Sequence, residues 1–284
     1  MLPEKTTFKN LIDCYELFLF DAYGVLVTAA GPIAAAREAL DFLRSAGKEF
    51  RIVTNDASRN GTQQLEHYAG MGFPVKAENI ISSGSLVADY FKENELFGAS
   101  TLVLGPEGAY DYVTKAGGEI LDFNEQAEPE VVVILDRHET LDLQQCLGLI
   151  LSVVLRALQR GRVPHLVVAN PDLNYPAGPE YFGIASGSFA LLLEANLQNN
   201  FPSTEPIRFE RLGKPYAPIF DKAIDGRPRS EVLFIGDQFT TDIVGANRAG
   251  ISSALVLTGV SREEAIPNIE AELHPRYILP TLAV

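Results

Sequence analysis

The feature that most constrains the fold is a pair of apolar runs that each lead into an acidic residue. Leu17–Phe20 is followed by Asp21, and Val232–Ile235 is followed by Gly236 and Asp237. Short, continuous apolar runs are typical of buried strands in parallel sheets, which hold their ligands at the carboxyl ends of the strands. The two acids lie more than 200 positions apart in the sequence. A sheet that brings both strands together therefore predicts one acidic site.

Short β-rich segments alternate with helical patterns along the whole chain, which predicts βαβ units and an α/β fold with a parallel sheet. The predicted strands are 17–20, 50–53, 100–104, 131–135, 165–169, 232–235 and 253–257, with helices near 33–46 and 141–160. The segment 85–204 carries strands and helices of its own. We therefore predict a core formed by residues 1–84 and 205–284 and interrupted by an inserted α/β domain at 85–204.

Composition excludes several classes of partner. The formal net charge of −14 disfavours binding to nucleic acid or anionic membranes, because both normally need a basic face. No apolar segment reaches the ~18 residues that predict a membrane span. The two cysteines imply no disulfide framework, and the first residues lack the pattern of a secretory signal. These features predict a cytoplasmic protein.

Two further stretches carry polar groups that could take part in chemistry. The predicted strand 50–53 leads into Thr54 and Asn55, neutral donors that can hold a phosphate or carboxylate oxygen or simply make a turn. Lys214, between a glycine and a proline, is either solvated or able to neutralise a carboxylate and a phosphoryl group together. A second acid, Asp242, follows Asp237. We expect these groups to lie with Asp21.

Taken in order, the four stretches resemble the motifs of the haloacid dehalogenase superfamily of hydrolases, and most closely its sugar-phosphatase-like branch with the second type of cap. The matching residues are Asp21 with Gly24 and Val25 for the first motif, Thr54 and Asn55 for the second, Lys214 for the third, and Gly236, Asp237 and Asp242 for the fourth. The resemblance covers nearly the whole chain. It implies a Rossmann-like core with an inserted α/β cap domain at 85–204, and the cap would select the substrate.

The resemblance also implies a mechanism and a cofactor. In phosphatases of this family the carboxylate at Asp21 attacks phosphorus and forms an aspartyl-phosphate, which water then hydrolyses. The implied phosphate-binding residues are Thr54, Asn55 and Lys214, and the implied Mg²⁺-binding residues are Asp21, Tyr23 through its backbone carbonyl, Asp237, and Asp242 as a ligand or as support. Oxygen donors of this kind suit Mg²⁺, whereas Zn²⁺ prefers His and Cys.

The substrate is expected to be a small phosphorylated metabolite, with a sugar phosphate favoured. Candidate cap residues that would read its hydroxyl groups are Asn170, Asp172, Asn174 and Tyr175. A cap that closes over the site would exclude water and contact the substrate away from phosphorus. Caps of this size can also offer a dimer surface, so a homodimer is part of the expectation.

Tyr23 departs from the family pattern, because phosphatases of this superfamily usually carry a second Asp there as general acid and base. A phenol with an ordinary pKa of ~10 can donate a proton but is a poor base near neutrality. Loss of a positioned acid–base group typically costs ~10²–10⁴ in rate. The sequence therefore leaves open a slow phosphatase or a catalytically impaired protein that only binds a phosphoryl ligand.

The stretch Asp21–Gly24, which contains this tyrosine, also resembles the first motif of the metal-independent 2-haloacid dehalogenases. Those enzymes use the aspartate to displace halide from carbon. Those enzymes lack the paired acids of the fourth motif, whereas this chain has Asp237 and Asp242. In those enzymes the cap lies between the first and second motifs. In this chain the segment between Asp21 and Thr54 is only long enough for one βαβ crossover, which leaves no room for a cap there. We therefore favour the phosphatase over the dehalogenase.

Overall fold

The computed structural model describes residues 3–28, 30–178, 181–202 and 204–284. The chain forms two compact units. The first unit comprises Met1–Thr54, Gly61–Ser82 and Lys214–Val284, and the second comprises Asn55–Asn60 and Ser83–Gly213. The sequence predicts limits of 85 and 204 for the inserted domain, whereas the second unit also takes in Asn55–Asn60 and extends to Gly213. One cause is that a strand at Glu210–Arg211 joins its sheet.

The elements of the described residues are as follows. The strands are β1 (Glu4–Lys5), β2 (Leu17–Phe20), β3 (Val27–Thr28), β4 (Gly31–Pro32), β5 (Glu49–Thr54), β6 (Ile80–Ser82), β7 (Ser100–Leu104), β8 (Glu119–Ile120), β9 (Val131–Ile134), β10 (His165–Val168), β11 (Asn174–Gly178), β12 (Tyr181–Ile184), β13 (Glu210–Arg211), β14 (Val232–Gly236), β15 (Ser252–Val256) and β16 (Tyr277–Leu279). The helices are α1 (Phe8–Leu11), α2 (Ala34–Ser45), α3 (Gly61–Gly70), α4 (Val87–Glu93), α5 (Asp111–Lys115), α6 (Leu143–Gln159), α7 (Ser186–Asn200), α8 (Ala217–Ile224) and α9 (Val244–Arg248).

The first unit is built on a seven-stranded parallel sheet with the order β1-β16-β15-β14-β2-β5-β6. All four residues of β2 are buried, which is why that strand reads as an uninterrupted apolar run. β2 pairs with β14 on one side and β5 on the other. Helix α2 packs on this sheet through Ala36, Ala39, Leu40 and Leu43, whose spacing of three and four residues places them on one face.

The second unit has its own five-stranded parallel sheet with the order β13-β10-β9-β7-β8. Helices α6 and α7 supply much of its core, together with the buried strands β9 and β10. Asp142 begins α6 by accepting a hydrogen bond from the backbone N–H of Gln145 at 2.9 Å. An antiparallel hairpin of β11 and β12 forms a separate two-stranded sheet.

The predicted α/β class and Rossmann-like parallel core are confirmed. Each predicted strand overlaps an observed one, and α2 and α6 lie inside the predicted helical segments. The hairpin of β11 and β12 is not among the predicted strands. Among the described residues, none of the helices has both the length and the apolar character that crossing a membrane requires.

Candidate active site

The sheet register of the first unit brings the acid-tipped strands together. Phe20 of β2 pairs with Ile235 of β14, and the N–H of Asp21 donates to the carbonyl of Ile235 at 2.9 Å. Asp21 therefore leaves β2 beside the point where Gly236 ends β14 and Asp237 follows. Asp242 lies five residues further on, in a π-helical turn over Phe239–Ile243. Such turns are frequent at functional sites.

Lys214 lies between two of these carboxylates. Its Nζ is 2.6 Å from Asp21 Oδ1 and 2.8 Å from Asp242 Oδ1, and all three side chains are buried. The ammonium group also lies 5.6 Å from the ring centroid of Phe234. A buried lysine needs charged partners to remain protonated. The carboxylates of Asp21 and Asp242 therefore fix the position of the Lys214 ammonium group.

The other oxygens of the acidic group are held by backbone donors. Asp242 Oδ2 accepts hydrogen bonds from the N–H groups of Asp237 and Gln238, both at 3.1 Å. Asp237 Oδ2 accepts from the N–H of Val260 at 2.7 Å. Asp237 Oδ1, by contrast, is buried and has no hydrogen-bond partner among the described residues. A buried oxygen of this kind calls for a ligand.

Asp21, Asp237 and Asp242 each offer a carboxylate oxygen, and these oxygens lie within 4.8 Å of one another. Three carboxylates at this spacing face one ammonium group, so the cluster carries an excess of negative charge. A bound divalent cation would balance that excess. Hard oxygen donors and the unpartnered Asp237 Oδ1 suit Mg²⁺.

The same crowding perturbs the ionisation of the group. Burial raises the pKa of Asp21 well above its usual range, the Asp242 carboxylate raises it further, and Lys214 opposes both effects. Burial and Asp242 raise the pKa of Asp237 to about 7, against the hydrogen bond from Val260. Burial lowers the pKa of Lys214, but Asp21 and Asp242 more than offset this and leave it above its usual range.

Glycines allow the backbone to approach these carboxylates. Gly24 adopts a φ of +83°, and a Cβ there would lie 2.3 Å from Asp237 Oδ2. A Cβ at Gly259 would lie 1.9 Å from the same oxygen, and one at Gly236 would lie 2.2 Å from Asp242 Cβ. No side chain fits at these distances. The glycines are therefore part of the site's construction.

Tyr23, between Asp21 and Gly24, is 48% exposed. Its backbone forms an isolated bridge with Val27. Its side chain makes no hydrogen bond within the described ranges. The expected metal contact through its backbone carbonyl remains a prediction.

Thr54 and Asn55, adjacent in sequence, fall in different units. Thr54 ends β5, the neighbour of β2, and is buried in the first unit. Asn55 belongs to the second unit, where its Nδ2 donates to Asp172 Oδ1 at 2.9 Å. Asn170 Oδ1 accepts a hydrogen bond from the backbone N–H of Asp172 at 2.9 Å. Two of the predicted cap residues, Asn170 and Asp172, are thus ordered together with Asn55.

The other two predicted cap residues, Asn174 and Tyr175, lie on the exposed strand β11. The Tyr175 ring covers Gly183 of β12, where an added Cβ would lie 2.3 Å from Tyr175 Cζ. They thus lie on an exposed hairpin that directly follows the loop with Asn170 and Asp172. Their role in substrate selection stays a prediction.

Sequence reasoning missed the loop that follows β15. Val260 donates to Asp237, Gly259 gives that carboxylate room, and Thr258 Oγ1 donates to the carbonyl of Gly24 at 2.7 Å. The sequence did contain an indication of this loop, because Gly259 follows β15 closely, much as Gly236 ends β14. A glycine near the carboxyl end of a strand beside the acids indicates close backbone approach.

Comparison with known proteins agrees with this geometry. A family described as haloacid dehalogenase-like hydrolase matches residues 18–119, and one described as HAD-hydrolase-like matches residues 211–284. A 4-nitrophenylphosphatase of Schizosaccharomyces pombe is 27% identical and aligns over 99% of this chain and 97% of its own. An acid sugar phosphatase of Staphylococcus aureus is 27% identical over 89% of this chain and 91% of its own. The crystal structure of a possible sugar phosphatase of the HAD superfamily from Cytophaga hutchinsonii is 30% identical, with a TM-score of 0.84 over 99% of both chains.

Proposed function

This chain belongs to the haloacid dehalogenase superfamily of hydrolases, and we propose that it is a Mg²⁺-dependent phosphatase that hydrolyses a small phosphomonoester, with a sugar phosphate as the favoured substrate. The observation that carries the proposal is the buried group of Asp21, Lys214, Asp237 and Asp242, in which one carboxylate oxygen has no protein partner. The three relatives described above are named as phosphatases, one of them as an acid sugar phosphatase and one as a possible sugar phosphatase, which supports this proposal.

The donor set fits a Mg²⁺ ion. Asp21 and Asp237 would hold it, with the backbone carbonyl of Tyr23 as a further oxygen ligand. Asp242 already binds Lys214 through Oδ1 and two N–H groups through Oδ2, so its main part is to fix Lys214 and the backbone at Asp237. When bound, the ion would neutralise charge on the phosphoryl oxygens and allow an anionic substrate to approach the acids.

Asp21 is the nucleophile in this proposal. Its Oδ1 accepts hydrogen bonds from Lys214 and from the N–H of Ala22, at 2.6 Å each, so Oδ2 is the oxygen that presents lone pairs to phosphorus. Attack forms an O–P bond to Asp21 and breaks the bond from phosphorus to the leaving oxygen. Water then attacks the phosphorus of the aspartyl-phosphate, which releases phosphate and restores the carboxylate. Lys214 stabilises negative charge on the transferring group.

Tyr23 limits the two proton transfers. An alkoxide leaving group needs a proton, and the attacking water must lose one. A half-exposed phenol with no partner in the described residues can give a proton but is a poor base at neutral pH. We therefore expect slow turnover, with aryl phosphates cleaved faster than sugar phosphates because an aryl leaving group needs no proton.

We place substrate selection in the second unit, with Asn170, Asp172, Asn174 and Tyr175 as the groups that would read hydroxyls. Two of them are ordered by the network that includes Asn55. A homodimer and a cytoplasmic location stay predictions from the sequence.

The test is phosphate release from a panel of sugar phosphates and 4-nitrophenyl phosphate, with and without Mg²⁺. We expect Mg²⁺-dependent activity in the parent, none above background in Asp21→Asn, and a rise of ~10² or more in Tyr23→Asp. Asp21→Asn preserves the shape of the nucleophile, so its full activity would refute the assignment. Halide release from a 2-haloacid is measured in parallel, and its appearance without metal would favour a dehalogenase.

Tyr23 also favours a second candidate, a protein that binds a phosphoryl ligand with little or no turnover. This candidate predicts saturable binding of Mg²⁺ together with a phosphate analogue, and no phosphate release from any ester in the panel. Recovery of turnover in Tyr23→Asp alone would identify a chain that has lost only its acid–base group.

A further inference from the structure

The loop after β15 contacts both parts of the acidic site that we propose as ligands of the ion, Asp237 and the turn after β2. β15 pairs in parallel with β14, and Leu255 lies opposite Gly236 at the carboxyl ends of the two strands. The chain therefore leaves β15 at the edge of the sheet where Asp237 lies. The reaction proposed above assigns no role to the side chains of residues 258–261, which we call the brace loop.

The brace loop holds Asp237 at two points. The N–H of Val260 donates to Asp237 Oδ2 at 2.7 Å, and the N–H of Ser261 donates to the backbone carbonyl of Asp237 at 3.0 Å. Both the side chain and the backbone of this aspartate are thus tied to the loop. The buried Oδ1, which has no hydrogen-bond partner among the described residues, is the oxygen that we propose for the ion.

A third contact of the brace loop reaches the turn after β2. Thr258 Oγ1 donates to the carbonyl of Gly24 at 2.7 Å, an ordinary length for a well-formed hydrogen bond from a hydroxyl. A Cβ at Gly24 would lie 3.1 Å from the Cα of Gly259, so the two backbones run close together at this point. The Thr258 hydroxyl therefore joins the turn after β2 to the loop that holds Asp237.

The bond from Thr258 is not a local turn contact. A threonine hydroxyl in a loop usually bonds to its own or a neighbouring backbone group. The acceptor of Thr258 lies instead 234 positions away in the sequence. Two heavy atoms on the Cβ of threonine restrict the rotation of its side chain, which helps to hold the hydroxyl in one direction. The contact is tertiary, and it lies at the edge of the sheet that carries the acids.

Hydrogen bonds hold the peptide groups on both sides of Gly24. Its N–H donates to the carbonyl of Val27 at 2.8 Å, and this N–H shares a planar peptide group with the carbonyl of Tyr23. The carbonyl of Gly24, which accepts from Thr258, belongs to the next peptide group. Glycine has the greatest backbone freedom of all residues, so these bonds are needed to fix the turn. Loss of the Thr258 hydroxyl would release one of the two peptide groups.

We propose that Thr258 is a positioning residue for the Mg²⁺ site. Its hydroxyl holds the turn after β2 against the brace loop, so that the Tyr23 carbonyl and Asp237 keep one fixed separation. Thr258 itself touches neither the ion nor the substrate and acts through Gly24. Partners that orient metal ligands in this way typically contribute about 10–100-fold to metal affinity. The inference rests on the proposed function, because it requires the metal site at Asp237.

The test is titration calorimetry of the full chain with Mg²⁺ at about pH 8, where the acids are ionised to a larger extent. Thr258→Val keeps the shape of the side chain and removes the hydroxyl, so it should bind Mg²⁺ about tenfold more weakly than the parent. Thr258→Ser keeps the hydroxyl and removes the methyl group, so it should bind Mg²⁺ like the parent. Scanning calorimetry in EDTA shows that each variant folds.

The matched control is Thr101→Val in the second unit. Thr101 is buried in β7, and its Oγ1 donates to the carbonyl of Ala99 at 2.9 Å. The control therefore makes the same substitution and removes the same kind of bond, from a hydroxyl to a backbone carbonyl. It should leave the Mg²⁺ affinity unchanged, even where it lowers the melting temperature in EDTA.

A second measurement separates positioning from a general loss of folded protein. The rate of 4-nitrophenyl phosphate hydrolysis is followed as a function of Mg²⁺ concentration. Thr258→Val should need about tenfold more Mg²⁺ for its half-maximal rate and should approach the parent's rate at saturating Mg²⁺. A variant that is merely part unfolded would instead lose rate at saturating Mg²⁺ in proportion to the unfolded fraction.

The outcomes distinguish this inference from the proposed function. If the parent binds Mg²⁺ and Thr258→Val binds it equally well, the inference is overturned and the proposed function stands. The inference is also overturned if Thr258→Ser loses as much affinity as Thr258→Val, or if Thr101→Val does. A parent that binds no Mg²⁺ would contradict the proposed metal site itself, and this inference with it.

Discussion

At the scale of single residues, Asp237 is the side chain that most directly indicates a bound cation. Its Oδ2 is satisfied by Val260, whereas Oδ1 is buried without a partner among the described residues. Leaving a buried polar atom unpaired costs ~1–3 kcal/mol, and more for a charged group. A buried oxygen that stays unpaired without any compensating interaction would be unusual. The cost is offset if the oxygen binds a metal ion.

Replacing Asp237 with Asn should separate metal binding from folding. The amide keeps an acceptor for Val260 but loses the charge, so Mg²⁺ affinity should fall by about 100-fold or more. In EDTA at about pH 8 the variant should unfold at least ~2 °C above the parent, because one buried negative charge is gone. Calorimetry measures both quantities.

The matched control is Asp13→Asn, an exposed carboxylate of the same unit. It should leave both Mg²⁺ affinity and the melting temperature in EDTA unchanged. If Asp237→Asn bound Mg²⁺ as tightly as Asp13→Asn, the metal assignment of Asp237 would be wrong.

The sequence predicts well which residues meet in the fold where those residues follow the ends of apolar strands. Asp21, Asp237, Asp242 and Lys214 meet in the structure as expected, because each acid follows an apolar strand or its turn. Asn55 could not be placed in this way. Its side chain bonds to Asp172, 117 positions away, and no local pattern specifies that partner.

At the scale of elements, the turn after β2 positions Asp237 through Gly24. An alanine at Gly24 would carry strain from the φ of +83° and would place Cβ 2.3 Å from Asp237 Oδ2. Gly47, which follows α2, has a similar φ of +69° but nothing within 4 Å of an added Cβ. Both substitutions should cost about 1–2 kcal/mol in backbone strain.

Only Gly24→Ala should also weaken Mg²⁺ binding, by at least about tenfold, because it displaces Asp237, the carboxylate that we propose as a ligand of the ion. Mg²⁺ titration by calorimetry on both variants provides the comparison. Equal Mg²⁺ affinities for Gly24→Ala and Gly47→Ala would show that this turn does not position Asp237.

In the second unit, Glu194 of α7 anchors the segment that leads into β13. Glu194 is 1% exposed and accepts hydrogen bonds from the N–H of Phe209 at 2.8 Å and from Arg208 and Arg211. Removing the Glu194 carboxylate takes the acceptor from the Phe209 N–H and the negative charge from beside the largely buried Arg211 guanidinium. The exposed Arg208 loses little. Glu194→Ala should lower the free energy of unfolding by about 3 kcal/mol.

Urea denaturation followed by circular dichroism measures this change, and Glu93→Ala, at an exposed position of α4, is the control. We expect a change within about 0.5 kcal/mol for the control. A loss below about 1 kcal/mol in Glu194→Ala would mean that the segment around β13 is held by packing alone.

Two of the elements that the sequence missed, the hairpin of β11 and β12 and the strand β13, each have a physical cause. The strands β2, β9 and β14 are buried on both faces and therefore read as apolar runs. The hairpin of β11 and β12 is largely exposed, so no buried face imposes a pattern of two on its residues. β13 is only two residues long and depends on its partner β10. Neither element could be predicted from local sequence.

At the scale of the whole molecule, the ionisation of the acidic site makes the stability of the metal-free fold depend on pH. The pKa of Asp237 is about 7 in the fold, against 3.8 for an ordinary aspartate, and that of Asp21 is raised in the same direction. The folded, metal-free protein therefore holds protons more tightly than the unfolded chain. Its stabilisation by these protons is complete below about pH 4 and is lost as the pH rises through about 7.

A divalent cation should restore that stability only where the carboxylates are charged. At about pH 8 we expect Mg²⁺ to bind the ionised group and to raise the melting temperature, whereas at about pH 5 Asp237 is protonated and the increase should be less than half as large. Each measurement compares the protein with and without Mg²⁺ at one pH, so the titration of other groups cancels. Because the chain has no tryptophan, scanning calorimetry is the suitable method. In Asp237→Asn the dependence of the Mg²⁺ effect on pH should be much smaller. An equal Mg²⁺ effect at both pH values in the parent would show that the cation binds elsewhere, since protons and metal would then not compete for the same oxygens.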